Sequence, residues 1–587
     1  MKGFDVIRAK SAVKSRNKMR LDFSHLTTMD FGQIVPLFAR EMVPSDEFKV
    51  QAGYFSRMAP LVKPTYGKFQ FKTIAGFVPY HQVAYDADAY ISGKYNLEGV
   101  ATTPRSITMS ELEYFVRTYC ATTTGATSSN ADITWLNSSG TAQYAIFTNI
   151  GKYWYKVLTA CGYTYPQGVS LQSGSNWQTD KLVKLSAYPI LAFFKLYNDY
   201  MSQSQRFNSS ALSELLYKIK NGITISGYTP ATGNVTSLAL KTMFDNLLLN
   251  YENDYFTSAW QSPNQPLSSV PDNKDAGVVP GGYAGTVGSD MYQNSLTVDV
   301  ITTPTEHVNI AQRALDFLRS FDDWVRRNNY SGSRDVQQIY SRFGIKIEDY
   351  KTRYAHIIDT DSMPIQVGDV TATADSTSVP LGDYAGKGIM NGSKEISYKS
   401  SDFGMLFIFG FFTVTPMNPY GFDRSVLRVE PLDFYTPEFD GIGADAISLG
   451  EYYASPLAVA DSDPTRDTSV FGFTERYNSY RFGRDLITGE FRNYRNNADM
   501  NTWHTGRNLS AVRKAGNLVA QSSSVNTLEA TDSQYNRIFS VTNGNVDHFY
   551  LTAFFKVSAI RPMLSLNQGP RLGVGDTDVP RNGNVVA

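Results

Sequence analysis

The chain is poor in the residues that most often carry chemistry. It has two cysteines, Cys120 and Cys161, and six histidines in 587 residues. Two cysteines make no disulfide framework, and no CxxC pair suggests zinc, so two buried thiols are expected. The histidines (His25, His81, His307, His356, His504 and His548) form no HExxH and no other close metal pair. His307, beside Glu306, reads as a capping or surface residue. Phosphate-cradling GxxxxGKS or GxxxxGKT and the nucleophile elbow GxSxG are both missing. GYAGTVG at Gly282–Gly288 lies among Pro and Gly and reads as a loop, not a dinucleotide fingerprint. Charge is also sparse: charged residues are 19%, below the roughly 25% usual for soluble domains. The net charge of −1 excludes a globally basic nucleic-acid binder. No apolar run reaches the roughly 18 residues of a membrane helix. The most apolar stretch, Gly404–Pro416, is too short, and the first twenty residues hold no signal-peptide apolar region.

What is abundant is aromatic: Phe, Tyr and Trp make up 13%. Strand patterns dominate both ends. In Glu47–Phe55, Phe48, Val50, Ala52 and Tyr54 alternate with mostly polar neighbours. Lys68–Val78 follows the same period. Met405–Val414 is apolar almost throughout, which suits a strand buried on both faces. His548–Ile560 puts Phe549, Leu551, Ala553, Phe555, Val557 and Ala559 on one face, and Arg561-Pro562 ends it. Helical spacing lies between these strands. Ser110 to Glu113 has capping-box spacing before Leu112, Phe115, Val116 and Tyr119. Lys181–Met201 is apolar with helical spacing, with Pro189 kinking or starting a helix. Ala211–Lys220 follows Ser210 as a cap, and Thr305 is placed to cap a helix running to about Arg327. Ala121–Gly140 and Pro266–Asp290 read as long polar loops, and Asp461-Ser462-Asp463 as a solvated turn rather than a calcium loop. The pattern predicts one β-sandwich or barrel with expanded loops.

Charge is concentrated in one place. Lys2, Arg8, Lys10, Lys14, Arg16, Lys18 and Arg20 face a single acid, Asp5, which gives +6 in the first twenty residues. Such an arm can neutralise phosphate locally.

Several segments, in order, resemble the major capsid protein of microviruses, in particular the gokushovirus-like members of these small single-stranded DNA bacteriophages. They begin with Phe23-Ser24-His25, Thr27-Thr28 and GQIVPLFAREMVPSDEFKV at Gly32–Val50, where Ser45 stands at the family's usual Gly. FSRMAPLVKP at Phe55–Pro64, GFVPYHQV at Gly76–Val83 and LSAYPILAFFKLYNDYM at Leu185–Met201 continue the match. DYFTSAWQSPNQ at Asp254–Gln265 is the most specific segment. SGSRDVQQIYSRFGI at Ser331–Ile345 follows, with Asp335 in place of the usual Tyr. PLDFYTPEFDGIGADAI at Pro431–Ile447, VFGFTERYNSYRFGRDLITGEFR at Val470–Arg492 and Ala559–Met563 complete the series.

The resemblance implies a mainly β fold: an eight-stranded antiparallel jelly roll with long helix-containing insertions. Residues 1–22 would form a basic arm internal to the particle. Residues 23–587 would form a single capsid domain, with insertions near 100–180, 201–250, 266–298 and 493–535. It implies copies assembling into a T = 1 icosahedral shell around circular single-stranded DNA, a virion location and assembly in the bacterial cytoplasm. The implied partners are the chain itself, packaged DNA, DNA pilot and internal scaffolding proteins, and a host surface receptor. No catalytic residue, metal or cofactor is expected. Lys10, Lys14, Arg16, Lys18 and Arg20 are the expected DNA contacts, with nearby Tyr or Phe stacking on unpaired bases. A neighbouring subunit or an internal scaffold is the alternative partner of the arm. Low charge and high aromatic content also suit a surface hidden by its own copies. Two other readings remain at this stage. An outer-membrane β-barrel would need a signal peptide and strands of about ten residues throughout. A carbohydrate-binding or carbohydrate-active β-sandwich would need a carboxylate pair or an aromatic platform in one groove.

Overall fold

The computed structural model describes residues 16–91, 103–137, 139–165, 168–169, 183–202, 211–259, 354–371, 384–400, 402–429, 431–441, 443–452, 470–492, 498–507, 527–531, 533–541 and 546–562. The ten strands of its two principal sheets are numbered in chain order. They are β1 (Asn17–Arg20), β2 (Phe23–Met29), β3 (Ile34–Met42), β4 (Glu47–Met58), β5 (Phe69–Pro79), β6 (His356–Pro364), β7 (Gln366–Thr371), β8 (Tyr384–Lys399), β9 (Gly404–Val414) and β10 (Phe549–Arg561). The first sheet runs β1-β10-β4-β8-β7, with β2 also paired to β10. The second runs β6-β5-β9-β3. Every pairing in both is antiparallel.

The four strands read from the sequence are β4, β5, β9 and β10. Their inward sets are buried as expected, including Phe48, Val50, Ala52 and Tyr54 on β4 and all six apolar positions from Phe549 to Ala559 on β10. The sheets pack face to face through aromatic pairs. Tyr54 meets Phe71 at 5.5 Å between ring centres, Phe38 meets Phe555 at 5.3 Å, and Phe412 stacks on Phe549 at 4.0 Å. Such pairs add about 0.5–1.5 kcal/mol each beyond burial.

The two sheets differ on their outer faces, which explains their different sequence patterns. β9 is buried along its whole length. Its second face is covered by helices from the long connection between β5 and β6. That connection holds α1 (Met109–Phe115), α2 (Asn149–Ala160), α3 (Tyr188–Tyr200), α4 (Ala211–Lys220) and α5 (Ser237–Asp245), of which α3 packs directly on β9. Phe193 of α3 packs on Phe409 at 4.9 Å, and the Tyr153 hydroxyl of α2 accepts from the Ile34 amide at 2.9 Å. A strand covered on both sides has no reason to alternate. Among the described residues the first sheet has one covered face, and β4 and β10 alternate.

Pro189 starts α3 in its first turn, and α4 has the expected bounds. Two sequence expectations are corrected. Helix α1 is capped by Thr108, whose side chain accepts from the Glu111 amide, not by Ser110. Ala121–Gly140 is not all loop: Ile133–Leu136 is a strand paired with Ala142–Phe147. Its β-branched Ile133 and Thr134 and its Trp135 favour a strand within a Ser/Thr/Asn-rich stretch. Cys120 and Cys161 are free and buried, and burial pushes both thiols well above the usual range. The helix expected at Thr305–Arg327, the Pro266–Asp290 loop, Gly282–Gly288, His307 and Asp461–Asp463 lie outside the described residues. Among the described residues, no helix is long and apolar enough to cross a membrane.

One turn holds a non-glycine residue in the left-handed region. Between β3 and β4 the chain reverses through Val43-Pro44-Ser45-Asp46, closed by the Asp46 amide donating to the Val43 carbonyl at 3.1 Å. Pro suits the first central position, and the second needs positive φ. Ser45 supplies it at φ +75°. The buried Asp46 carboxylate then accepts from Arg561 Nε and Nη2 at 2.9 and 2.8 Å, tying this turn to the end of β10.

Candidate nucleic-acid interface

Of the five cations singled out in the sequence, Arg16, Lys18 and Arg20 lie in described residues; Lys10 and Lys14 do not. β1 pairs with the last third of β10, Lys18 opposite Ile560 and Arg20 opposite Ser558. Strand side chains alternate in direction. Arg16, Lys18 and Arg20 are therefore the exposed set, and Asn17 and Met19 the half-buried one. Arg16 donates to the Ser45 carbonyl. Arg20 pairs with Asp22 at 2.9 Å but stays largely exposed. Asp22 also accepts from the Val557 amide at 2.8 Å, which holds β1 on the sheet.

The register extends this basic edge across the open face of the first sheet. Arg20 lines up with Ser558, Lys49 and Ser397. Lys18 lines up with Ile560 and Glu47. Two rows on, Ser24 lies beside Phe554 and Gly53; then Leu26 beside Thr552 and Phe55; then Thr28 beside Tyr550 and Arg57. Leu26, Phe55, Tyr550 and Phe554 are all exposed, Leu26 at 79% and Phe554 at 55%. The Arg57 guanidinium lies 5.4 Å from the Phe55 ring centre. Lys49 pairs with Glu395 at 2.7 Å, and hydrogen bonds from Lys49 and then Gln51 hold the Glu395 carboxyl below its ordinary range. The face thus grades from cations at the β1 edge to exposed rings at the other end.

Sequence reasoning found the β1 cations but missed Phe55, Arg57, Tyr550, Phe554 and Lys556. Their signal was present. They are the outward complements of the inward sets read in β4 and β10.

Comparison with known proteins gives this geometry a context. The chain matches the family model described as "Capsid protein (F protein)" over residues 8–569. The chain belongs to this capsid protein family. It is 23% identical to the "Capsid protein VP1" of Chlamydia phage 1 over 605 residues, covering 94% of this chain and 95% of the relative. It is 22% identical to the "Capsid protein VP1" of Bdellovibrio phage phiMH2K over 510 residues, covering 84% and 85%. The resemblance carried by the sequence segments is borne out, and the family's role is structural rather than catalytic. Capsid proteins form virions by self-assembly, which sets aside the membrane-barrel and carbohydrate-enzyme readings.

Proposed function

We propose that this chain is the major capsid protein of a small single-stranded DNA phage, and that its copies build a T = 1 icosahedral shell around circular DNA. In this reading the two principal sheets are the halves of an eight-stranded jelly roll. Counting β2, β3, β4, β5, β6, β8, β9 and β10 as first to eighth, the sheets run 1-8-3-6 and 5-4-7-2. Successive strands alternate between sheets except at the fourth and fifth, as two nested Greek keys require. The β5–β6 and β9–β10 connections are then the expanded loops of the fold. The regions near 100–180, 201–250 and 266–298 belong to the first, and 493–535 to the second.

The open face of the first sheet lines the particle interior in this reading. Arg16, Lys18 and Arg20, continued by Lys10 and Lys14, meet phosphate without sequence preference, and the exposed rings stack on unpaired bases. Stacking contributes about 1–3 kcal/mol per base. The juxtaposition of a cationic strand with exposed Phe554, Phe55 and Tyr550 is the observation that carries this assignment. Internal scaffolding and DNA pilot proteins are further partners of the same inner surface. The exposed turns of 123–131 and the segment 266–290 are the reading's candidates for host contact, since loops on a rigid sandwich usually carry binding. Assembly takes place in the host cytoplasm.

Expression in a bacterial host followed by electron microscopy and nuclease treatment tests the reading. Small isometric particles that protect single-stranded DNA are expected. Particles that assemble normally but retain no nucleic acid would overturn the interior assignment alone.

A further inference from the structure

The connection between β9 and β10 contains a surface unlike the rest of the molecule. Its segments 422–429, 431–441, 443–452 and 470–492 hold short single-turn helices and one two-stranded ribbon, Ala444–Ser448 with Val470–Glu475. Yet they expose large apolar side chains at high density, with Val429 at 83%, Phe434 at 53% and Tyr480 at 49%. These residues are organised. Tyr435 packs against Tyr477 and Tyr480 with ring centres 5.1 and 6.0 Å apart, and Arg428 lies over Tyr480 at 3.9 Å. Arg481 bridges Asp440 at 3.1 Å and Glu475 at 3.2 Å. The turn presenting Tyr480 starts at Tyr477, a non-glycine residue at φ +61°. Backbone of this kind costs about 1–3 kcal/mol and clusters where function fixes a surface.

We infer that the Val429–Phe434–Tyr435–Tyr480 face is a contact surface for a second copy of this chain. The inference rests on the capsid reading. Its composition, exposed Tyr and Phe with Arg stacked on them, is that of interface anchors. Its charges specify the partner. Arg481 sits between Asp440 and Glu475, and Arg428 lies over Tyr480, so the face carries both signs. A polyanion would be repelled by half of it, whereas a copy of the same balanced surface can pair with it. A capsid chain must bury apolar surface against its own copies, and this face exposes Val429, Phe434, Tyr435 and Tyr480 for that purpose.

Two measurements test it. Val429→Asp and Phe434→Asp change side chains that contribute little to the chain's own packing. Each variant is expected to keep the wild-type circular dichroism and melting temperature while particle yield in sedimentation falls at least tenfold. Particles at wild-type yield overturn the inference, and if they have also lost attachment to host cells the face belongs to a receptor. Should these variants fail to fold, V429C replaces one small apolar side chain by another. Its maleimide labelling is expected to be at least tenfold slower in assembled particles than in dissociated subunits, with buried Cys120 and Cys161 silent in both. Equal rates overturn the inference while leaving the capsid reading standing. A wild-type chain that forms no particle overturns both.

Discussion

A buried charge pair at the start of β10 sets a pH dependence that can be worked out from geometry. His548 is fully buried and stacks on Phe539 with ring centres 4.2 Å apart. Its Nε2 faces the Val541 carbonyl at 2.8 Å and its Nδ1 faces the Asp30 carboxylate at 3.1 Å. Both neighbours are acceptors, so the ring binds best with both nitrogens protonated. Burial pulls its pKa down. The Asp30 hydrogen bond and charge, the Val541 carbonyl and the Asp547 charge outweigh burial, and the net shift is upward. Asp30 also accepts from the Phe31 amide at 2.9 Å and Asn536 Nδ2 at 3.2 Å. Nearby, Asp547 is paired with Lys156 at 2.7 Å. A histidine whose folded pKa is raised contributes stability that is fully present below its unfolded value of about 6.5. That stability is lost as pH rises through the folded value. His548→Leu leaves Asp30 buried without its cation and should cost about 3–5 kcal/mol near pH 6. The double variant Asp30→Leu/His548→Leu should cost less than the two single variants summed, because neither charge is left unpaired. Denaturant melts of the three variants and the wild type at pH 6 and pH 9 supply the comparison. The gap between wild type and His548→Leu should narrow at pH 9. A gap that is constant or widens with pH would refute the doubly protonated assignment.

His504 behaves oppositely. Its Nε2 donates to the Phe491 carbonyl at 2.8 Å, its Nδ1 accepts from the Gly506 amide at 3.0 Å, and burial lowers its pKa. In a His548→Gln background stability should therefore fall as pH drops below about 6.5, as read by thermal melts. Ser45→Gly should stabilise by about 0.5–1 kcal/mol, since relief of a left-handed cost of about 1–2 kcal/mol exceeds the added chain entropy of glycine. A destabilised variant in denaturant melts would contradict the turn geometry. Gly151→Ala should destabilise by about 3 kcal/mol or more in the same assay, because its Cβ would overlap the Cys120 carbonyl, which is backbone. Replacing Lys18, Arg20 and Lys556 together by Gln should flatten the logarithmic salt dependence of single-stranded DNA binding by about 2, at about 0.7 per phosphate contact. Fluorescence anisotropy on dissociated subunits measures it, and an unchanged slope would remove these cations from the interface.

The legible parts of the fold were those where one strand carries its own pattern. β4 and β10 alternate because one face is core and the other open, and β9 is uniformly apolar because α3 covers its second face. The segments that became β6 and β8 carry no such signal. HIIDTDSMP and YAGKGIMNGSKEISYK are rich in Asp, Ser and Gly. They become strands through partners hundreds of residues away, as when Glu395 of β8 meets Gln51 of β4. Gly388 and Gly392 of β8 are read only once the sheet exists, because a Cβ there would collide with Met58 and Met363. The cap of α1 was misassigned by two residues because Thr108 and Ser110 both satisfy the local rule. The hydroxyl of Thr108 reaches the Glu111 amide, and that of Ser110 lies 3.2 Å from the Thr108 hydroxyl. The candidate interface was legible at β1, where the sequence concentrates charge. At Phe554 and Phe55 only the outward direction was legible, as the complement of the inward sets; that this face stays uncovered depends on the rest of the fold.

A cryo-electron microscopy map of particles formed by the full chain tests the central claim most directly. The account predicts an isometric shell with the open face of the first sheet turned inward, so that Lys18, Arg20 and Phe554 adjoin nucleic-acid density. A shell with that face turned outward or packed against protein, or a chain that remains monomeric, would contradict it.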